Sequence, residues 1–220
     1  VPRPAELSDR KPLTATGSTR PLDLKWLTAF LSEGGAMAEV FPGFEHRPGQ
    51  ISMMRRVAQA LNDSEQVVIE AGTGIGKSIA YLLPAIVFAL ENSTPVVVST
   101  NTINLQEQLM GKDIPDLLQV LCRSQNPLAA REPHIAQLKG RANYLCVRRW
   151  GAWRQSPGLP WEESRFLLRL LLWANSTSSG DRAELNLNKG ELELWHRVCA
   201  SEDNCVVERC PHYPSGCFLY

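Results

Sequence analysis

No apolar run in this chain can cross a bilayer: the longest, Ile79 to Leu90, is broken by Pro84 and falls far short of the roughly 20 residues a membrane helix needs. Nor is there a charge excess. The 23 basic residues are matched by 23 acidic ones, which excludes a uniformly basic nucleic-acid binder and leaves only local patches to be read. The start, Val1 to Pro4, has neither an initiating Met nor the apolar stretch of a signal peptide, and it reads as an internal part of a longer polypeptide. The six cysteines include no CxxC pair, and without a secretory signal they read as thiols or metal ligands in an intracellular, cytoplasmic protein rather than as a disulfide frame. There is no internal repeat. What is present is ordinary globular material: 44% hydrophobic and 21% charged residues over 220 positions, enough for one large or two small domains.

Residues 1–22 are rich in proline, serine and threonine and lack apolar periodicity, so they read as a linker or tail. Asp23 then caps a short helix with Leu24, Leu27, Phe30 and Leu31 on one face, stopped by Gly34 and Gly35. A second helix is predicted from Ile51 to Leu61. From there the period changes. Val67 to Ile69 is a short β-branched run, followed by a glycine-rich turn and a helix from Ser78 to Leu90. Val96 to Val98 precedes another helix, Asn104 to Met110. Strand, loop, helix repeated in this way predicts an α/β fold, with parallel strands buried on both faces. Beyond about Pro127, tryptophan and cysteine become common, Phe166 to Trp173 makes an apolar helix and no buried strand follows. The expected domains are therefore 23–126, an α/β core, and 127–220, a cysteine-bearing subdomain.

Between the first strand and its helix lies Glu70-Ala71-Gly72-Thr73-Gly74-Ile75-Gly76-Lys77-Ser78. A triphosphate needs many convergent donors. Glycines let successive N–H groups turn inward around an anion, and the helix N-terminus points its positive end at the same place. Lys77 would reach the β- and γ-phosphates of ATP, and the Ser78 hydroxyl would ligate Mg²⁺. The first position of the usual GxxxxGKS pattern is Ala71, still a small residue.

Cys146 and the set Cys205-x4-Cys210-x6-Cys217 form the second constellation. Structural zinc favours knuckles of two closely spaced ligands, whereas an iron–sulfur cube has wider corners, so the spacing leans to iron–sulfur while zinc and buried free thiols stay open. Cys199 is near enough to compete, and Cys122, in an apolar stretch, reads as core. From Arg123 to Arg154 seven basic residues (Arg123, Arg131, Lys139, Arg141, Arg148, Arg149, Arg154) oppose only Glu132, with Tyr144, Trp150 and Trp153 interleaved. That mixture suits a single-stranded nucleic-acid path, or equally a basic face offsetting thiolates with the rings as core.

Together these residues resemble the iron–sulfur superfamily 2 DNA helicases of the XPD/DinG type. RPGQ (residues 47–50) resembles the adenine-reading Q motif, with Arg47 and Gln50. Residues 70–78 resemble motif I, in which alanine at the first loop position is usual, and residues 96–109 resemble motif Ia. KGRANYLC (139–146) and the stretch 205–218 look like the entry and exit of the cluster domain, and residues 173–185 are similar to the part between them. The resemblance implies a P-loop RecA-like parallel sheet, a partial first motor lobe, with an inserted, mainly helical iron–sulfur subdomain. It implies an ATP-driven motor moving 5′ to 3′ on single-stranded or forked DNA in repair or replication. Lys77 and Ser78 would be catalytic. Arg47, Gln50 and Ala71 to Ser78 (Gly72, Thr73, Gly74, Ile75, Gly76, Lys77) would hold the nucleotide, and Thr100, Asn101 and Thr102 would touch the DNA backbone. Cys146, Cys205, Cys210 and Cys217 would carry a [4Fe–4S] cluster, leaving Cys199 aside. An upstream exonuclease-like domain is known in some relatives. The acidic Asp-Glu-x-His motif that such a motor needs occurs nowhere in the chain, so these residues alone are expected not to turn over ATP. A small-molecule kinase would share the loop, and a zinc-stabilised interaction module would share the cysteines.

Overall fold

The computed structural model describes residues 19–124 and 127–220, so most of the 1–22 tail lies outside the described residues. The chain divides into two compact units, one ending at Gln137 and the other running from Leu138 to Tyr220.

The first unit opens with α1 (Leu24–Phe30), capped by the Asp23 carboxylate, which accepts from the N–H groups of Lys25 and Trp26 at 2.8 and 3.1 Å. Order begins before this cap. Leu22 is buried and exchanges hydrogen bonds with the Asn62 side chain, and Arg20 does the same with Asn92, so two carboxamides hold residues 20–22 as a strand neighbour would. The tail expected to run to residue 22 is therefore tied down by Arg20. α2 (Ala36–Val40) follows a turn at Gly35, where any Cβ would sit against the Ala29 carbonyl. α3 (Pro48–Asp63) starts three residues before the expected helix, because Pro48 at its first turn needs no N–H partner. α4 (Lys77–Asn92) runs through Pro84 and is apolar nearly all round, with Leu82, Leu83 and Val87 buried. It packs on α3 through Met54 and Ala58, and this pair is the centre of the unit's core. α5 (Ile103–Gln108) is capped by Thr102; a wider π turn (Leu109–Asp113) then leads into α6 (Ile114–Arg123), so the helix expected to stop at Met110 continues for three more turns.

The two predicted strands do not form. Among the described residues there is no strand, and residues 65–72 and 94–100 carry no regular structure. Val68 is 99% and Val97 89% exposed. A parallel strand is stable only when neighbours satisfy its N–H and C=O groups and cover both faces. Neither run has such a neighbour, so each remains a pair of open edges. The parallel sheet expected from the sequence is thus absent from these residues, while the helices that would cover it are in place.

The second unit contains α7 (Val147–Arg154), α8 (Trp161–Ala174) and α9 (Lys189–Trp195) around Trp195, Phe166, Leu145, Leu170 and Val198. Two isolated antiparallel bridges, Tyr144 with Asp181 and Leu145 with Cys199, tie the segment before α7 to both later turns. A buried ion pair, Lys139 Nζ to Asp181 at 2.6 Å, reinforces the first of these. Gly180, in the left-handed region at φ 66°, leaves room for the ring of Phe218 to lie directly against its backbone, next to Cys217.

Glu191 closes a capping box with Asn188 and takes Arg169 on both carboxylate oxygens at 2.7 and 2.8 Å. Burial pushes its carboxyl up, but the Arg169 hydrogen bonds, the Asn188 N–H and the Arg165 charge together hold it below the usual carboxylate range. A carboxyl depressed in the folded state contributes its stability in full above its unfolded value and loses it as pH falls through the folded one. The melting temperature of the chain, measured against that of Glu191→Gln between about pH 7 and pH 3, should converge with the variant's at the acid end. The difference at neutral pH should correspond to about 1 kcal/mol, since the guanidinium is partly screened by water. A pH-independent gap would contradict this assignment.

Candidate functional site: a phosphate loop and a four-cysteine cavity

The glycine-rich loop stands where the sequence placed it, ending at the first residue of α4. Gly74 (φ 80°) and Gly76 (φ 84°) adopt left-handed conformations that side-chain-bearing residues avoid, and Gly76 is the cap of α4. The positive end of a 16-residue helix therefore faces the loop. Lys77 folds back, its ammonium donating to the carbonyls of Ala71 at 3.0 Å and Gly72 at 2.7 Å. The N-terminal turn of α3 braces the loop from below: Arg47 Nη1 donates to the Gly74 carbonyl at 2.6 Å and Gln50 Nε2 to the Gly76 carbonyl at 3.0 Å. Gln50 is buried beneath Gly76, where a Cβ would collide with its amide. Arg47, Gln50 and residues 71–78 are thus one assembly, joined through loop carbonyls across 26 and 27 positions of sequence.

Ser78 lies one turn before Tyr81, whose hydroxyl is hydrogen-bonded to it. Burial raises the Tyr81 phenol above its ordinary value, the Ser78 bond opposes this and the Asp113 charge adds to it. Tyr81 has no signal in the sequence beyond its i+3 spacing from Ser78. Thr100, Asn101 and Thr102 form the turn into α5. Asn101 and Thr102 are exposed, and the Thr100 hydroxyl donates to the Thr102 carbonyl at 3.1 Å.

In the second unit, Cys146, Cys205, Cys210 and Cys217 line a single narrow cavity of about 30 Å³, with Leu145, Val206, Tyr213 and Arg148 among its walls. All four are free, partly buried thiols. Among the described residues, no three Cys, His, Asp or Glu side chains converge closely enough to hold a single metal ion. The four thiols are therefore arrayed around a space rather than drawn to a point. Four thiols around one cavity are a donor set that a zinc ion or an iron–sulfur group can use.

Cys199 is outside this cavity. It is buried, its Sγ faces the His196 carbonyl at 3.8 Å, and burial pushes its thiol up despite the neighbouring Arg149 charge. Cys122, read from sequence as core, is exposed on α6 in the other unit. Leu117, Val120 and Leu121 make the buried face of that helix, and Cys122 is turned about 100° away from Leu121 by the helical period.

The aromatics interleaved with the basic run are core. Tyr144 and Trp153 are buried, and the indole of Trp153 is sandwiched between Phe166 and the Arg197 guanidinium, 5.4 Å from its centroid. Arg154 covers Trp150 at 4.7 Å. Tyr144 and Trp153 thus take the packing role, while Trp150 is partly buried against the same core.

A glycine-rich loop on a helix N-terminus, braced by an arginine and a glutamine at the start of the preceding helix, defines a nucleotide-binding segment of the P-loop class. Residues 48–123 match the DEAD/DEAH box helicase family. The chain is 41% identical over 198 residues to the ATP-dependent helicase DinG of Mycobacterium tuberculosis, covering 83% of this chain and 29% of the relative. It is 37% identical over 177 residues to the 3'-5' exonuclease DinG of Bacillus subtilis (80% of this chain, 18% of the relative). It is 34% identical over 194 residues to the ATP-dependent DNA helicase YoaA of Escherichia coli (88% and 28%). The chain thus spans under a third of the length of these relatives. No solved structure matches it. Among the described residues no helix is long and apolar enough to cross a membrane.

Proposed function

We propose that this chain is the leading part of the first motor lobe, with an inserted cluster subdomain, of a cytoplasmic bacterial ATP-dependent DNA helicase of the DinG type, working 5′ to 3′ on single-stranded or forked DNA in repair or replication. The observation that carries the reading is the loop of residues 71–78, closed on the α4 N-terminus and braced by Arg47 and Gln50. In this role Lys77 exchanges two loop carbonyls for phosphate oxygens, and the N–H groups around Gly74 and Gly76 face the same anion. The Ser78 hydroxyl is released from Tyr81 to a magnesium ion. Gln50, now donating to Gly76, turns its amide to an adenine edge, so base recognition and loop shape are coupled through one side chain. Thr100 to Thr102 offer hydroxyl and amide groups to a DNA backbone.

Residues 23–126 would belong to the lobe and 127–220 to the cluster subdomain. α4, residues 94–100 and residues 131–137 enclose an apolar groove of about 840 Å³ walled by Leu82, Ile86, Val96, Val98, Ile114 and Ile135. Strands contributed by sequence outside these 220 residues would fill it, pair residues 65–72 and 94–100, and bring the acidic motif that the chain lacks. Cys146, Cys205, Cys210 and Cys217 would hold a [4Fe–4S] group, which would cross-link the two ends of the subdomain and stiffen it as a strand-separating wedge. The 3'-5' exonuclease DinG relative supports an additional, exonuclease-like domain in the parent protein.

The deciding experiment uses the longer protein that carries these residues. It should displace strands from duplexes with a 5′ single-stranded tail, with ATP hydrolysis rising on addition of single-stranded DNA. Displacement from 3′ tails alone, or hydrolysis indifferent to DNA, would remove this reading, and a colourless protein with stoichiometric zinc would replace the cluster by a structural ion.

A further inference from the structure

We propose that Arg148 is the positioning residue of the four-cysteine cavity, clamping Cys205 against Cys146 and placing one positive charge beside the thiolates. The proposal rests on the cluster reading above. Cys146 caps α7, and its N–H donates to the Val198 carbonyl at 2.8 Å. The next turn of α7 then sends two arginines toward the returning chain. Arg149 Nη1 donates to the Cys199 carbonyl at 2.5 Å and Arg148 Nη2 to the Asn204 carbonyl at 2.6 Å. Asn204 immediately precedes Cys205, and both belong to a turn closed by Cys205 N–H to the Ser201 carbonyl at 3.0 Å and by the Asn204 amide to the Ser201 hydroxyl at 2.6 Å. The guanidinium of Arg148 thus couples the cap position that carries one thiol to the turn that carries the next, across 56 positions of sequence.

Arg148 differs from its neighbour in one respect. It lines the cavity, where it is the one charged side chain among the described walls, whereas Arg149 does not. Four thiolates give an iron–sulfur cube a net negative charge that grows by one on reduction. A fixed cation at the wall favours the reduced form, and removing it lowers the reduction potential. A planar guanidinium can hold the Asn204 carbonyl and face the cavity at once, which the single ammonium of a lysine on a flexible stem reproduces only in charge.

The test uses the full-length holoprotein purified without oxygen, as wild type, Arg148→Gln, Arg148→Lys and Arg149→Ala. Arg148→Gln should shift the reduced-to-oxidised ratio at a fixed poise about tenfold toward the oxidised form, a midpoint about 59 mV lower for one electron. It should also release iron to a chelator several-fold faster. Arg148→Lys should keep the potential but release iron faster, and Arg149→Ala should keep the potential. A wild-type potential in Arg148→Gln overturns the electrostatic role, and unchanged iron release in both Arg148 variants overturns the clamp. The clamp is also read without iron: in the 220-residue chain, amide hydrogen exchange at residues 203–206 should quicken in Arg148→Gln, and unchanged exchange overturns it. Wild-type protein devoid of iron would instead remove the cluster reading, a result distinguishable from indifferent variants of an iron-bearing protein.

Discussion

Replacing Lys77 by alanine should cut ATP turnover by the full-length protein at least about 100-fold while leaving its iron content unchanged. The ammonium is the one cation at the first turn of α4, and in the free loop it is held by the Ala71 and Gly72 carbonyls. Phosphate binding replaces those two neutral acceptors by charged oxygens at the same helix terminus, a stronger, charge-assisted interaction that grows as charge develops in the transition state. Alanine removes that gain and also frees the two carbonyls, so the loop loses both its ligand contact and its latch. The cysteine cavity belongs to the other compact unit, which is why the iron should stay. Hydrolysis near the wild-type rate in Lys77→Ala would overturn the loop assignment.

The second large effect is at Cys210. Cys210→Ser should lose most of its iron and its strand separation, because a cube left with three thiolates and a hydroxyl is labile. Cys199 does not offer a rescue: its backbone is fixed by the bridge to Leu145 and by Arg149, and its sulfur faces His196 away from the cavity. Nucleotide affinity should be unaltered. Iron determination together with strand-displacement rates checks both halves. Full iron content in the variant would move the ligand set toward Cys199 and show that the 198–200 segment rebuilds on loading.

Both predictions draw on residues that stand out in the amino-acid order, and other contacts do not. The loop is legible because its chemistry is local: glycines at left-handed positions and a lysine one residue into a helix are separated by single steps of chain. The Asp23 cap and the apolar faces of α3 and α4 are legible for the same reason, as i, i+3 and i+4 neighbours share a face whatever lies opposite. The four cysteines were legible as a set, although not as a cavity. By contrast, nothing local marks Asn62 and Asn92 as the side chains that tie down Leu22 and Arg20, or Lys139 as the partner of Asp181, because those pairs are set by how distant segments pack.

The misjudged positions follow the same rule. Cys122 sits in an apolar stretch, but helical phase turns it outward. Trp153 sits in a basic stretch that left base stacking and core packing equally open, and its ring is covered by Phe166. The valines of residues 67–68 and 96–98 have the composition of buried strands, yet a strand's hydrogen bonds are made by other strands, and these have none among the described residues.

The order of amino acids by itself determined α1, α3 and α4 and the glycine-rich loop between the last two, since each depends on contacts within a few residues. Only the tertiary structure decided that Gln50 and Arg47 hold the loop from beneath, that Cys146, Cys205, Cys210 and Cys217 line one cavity while Cys199 does not, and that Arg148 reaches the Asn204 carbonyl. These are contacts between segments far apart in the chain, where the packing of whole elements, not local spacing, brings atoms together.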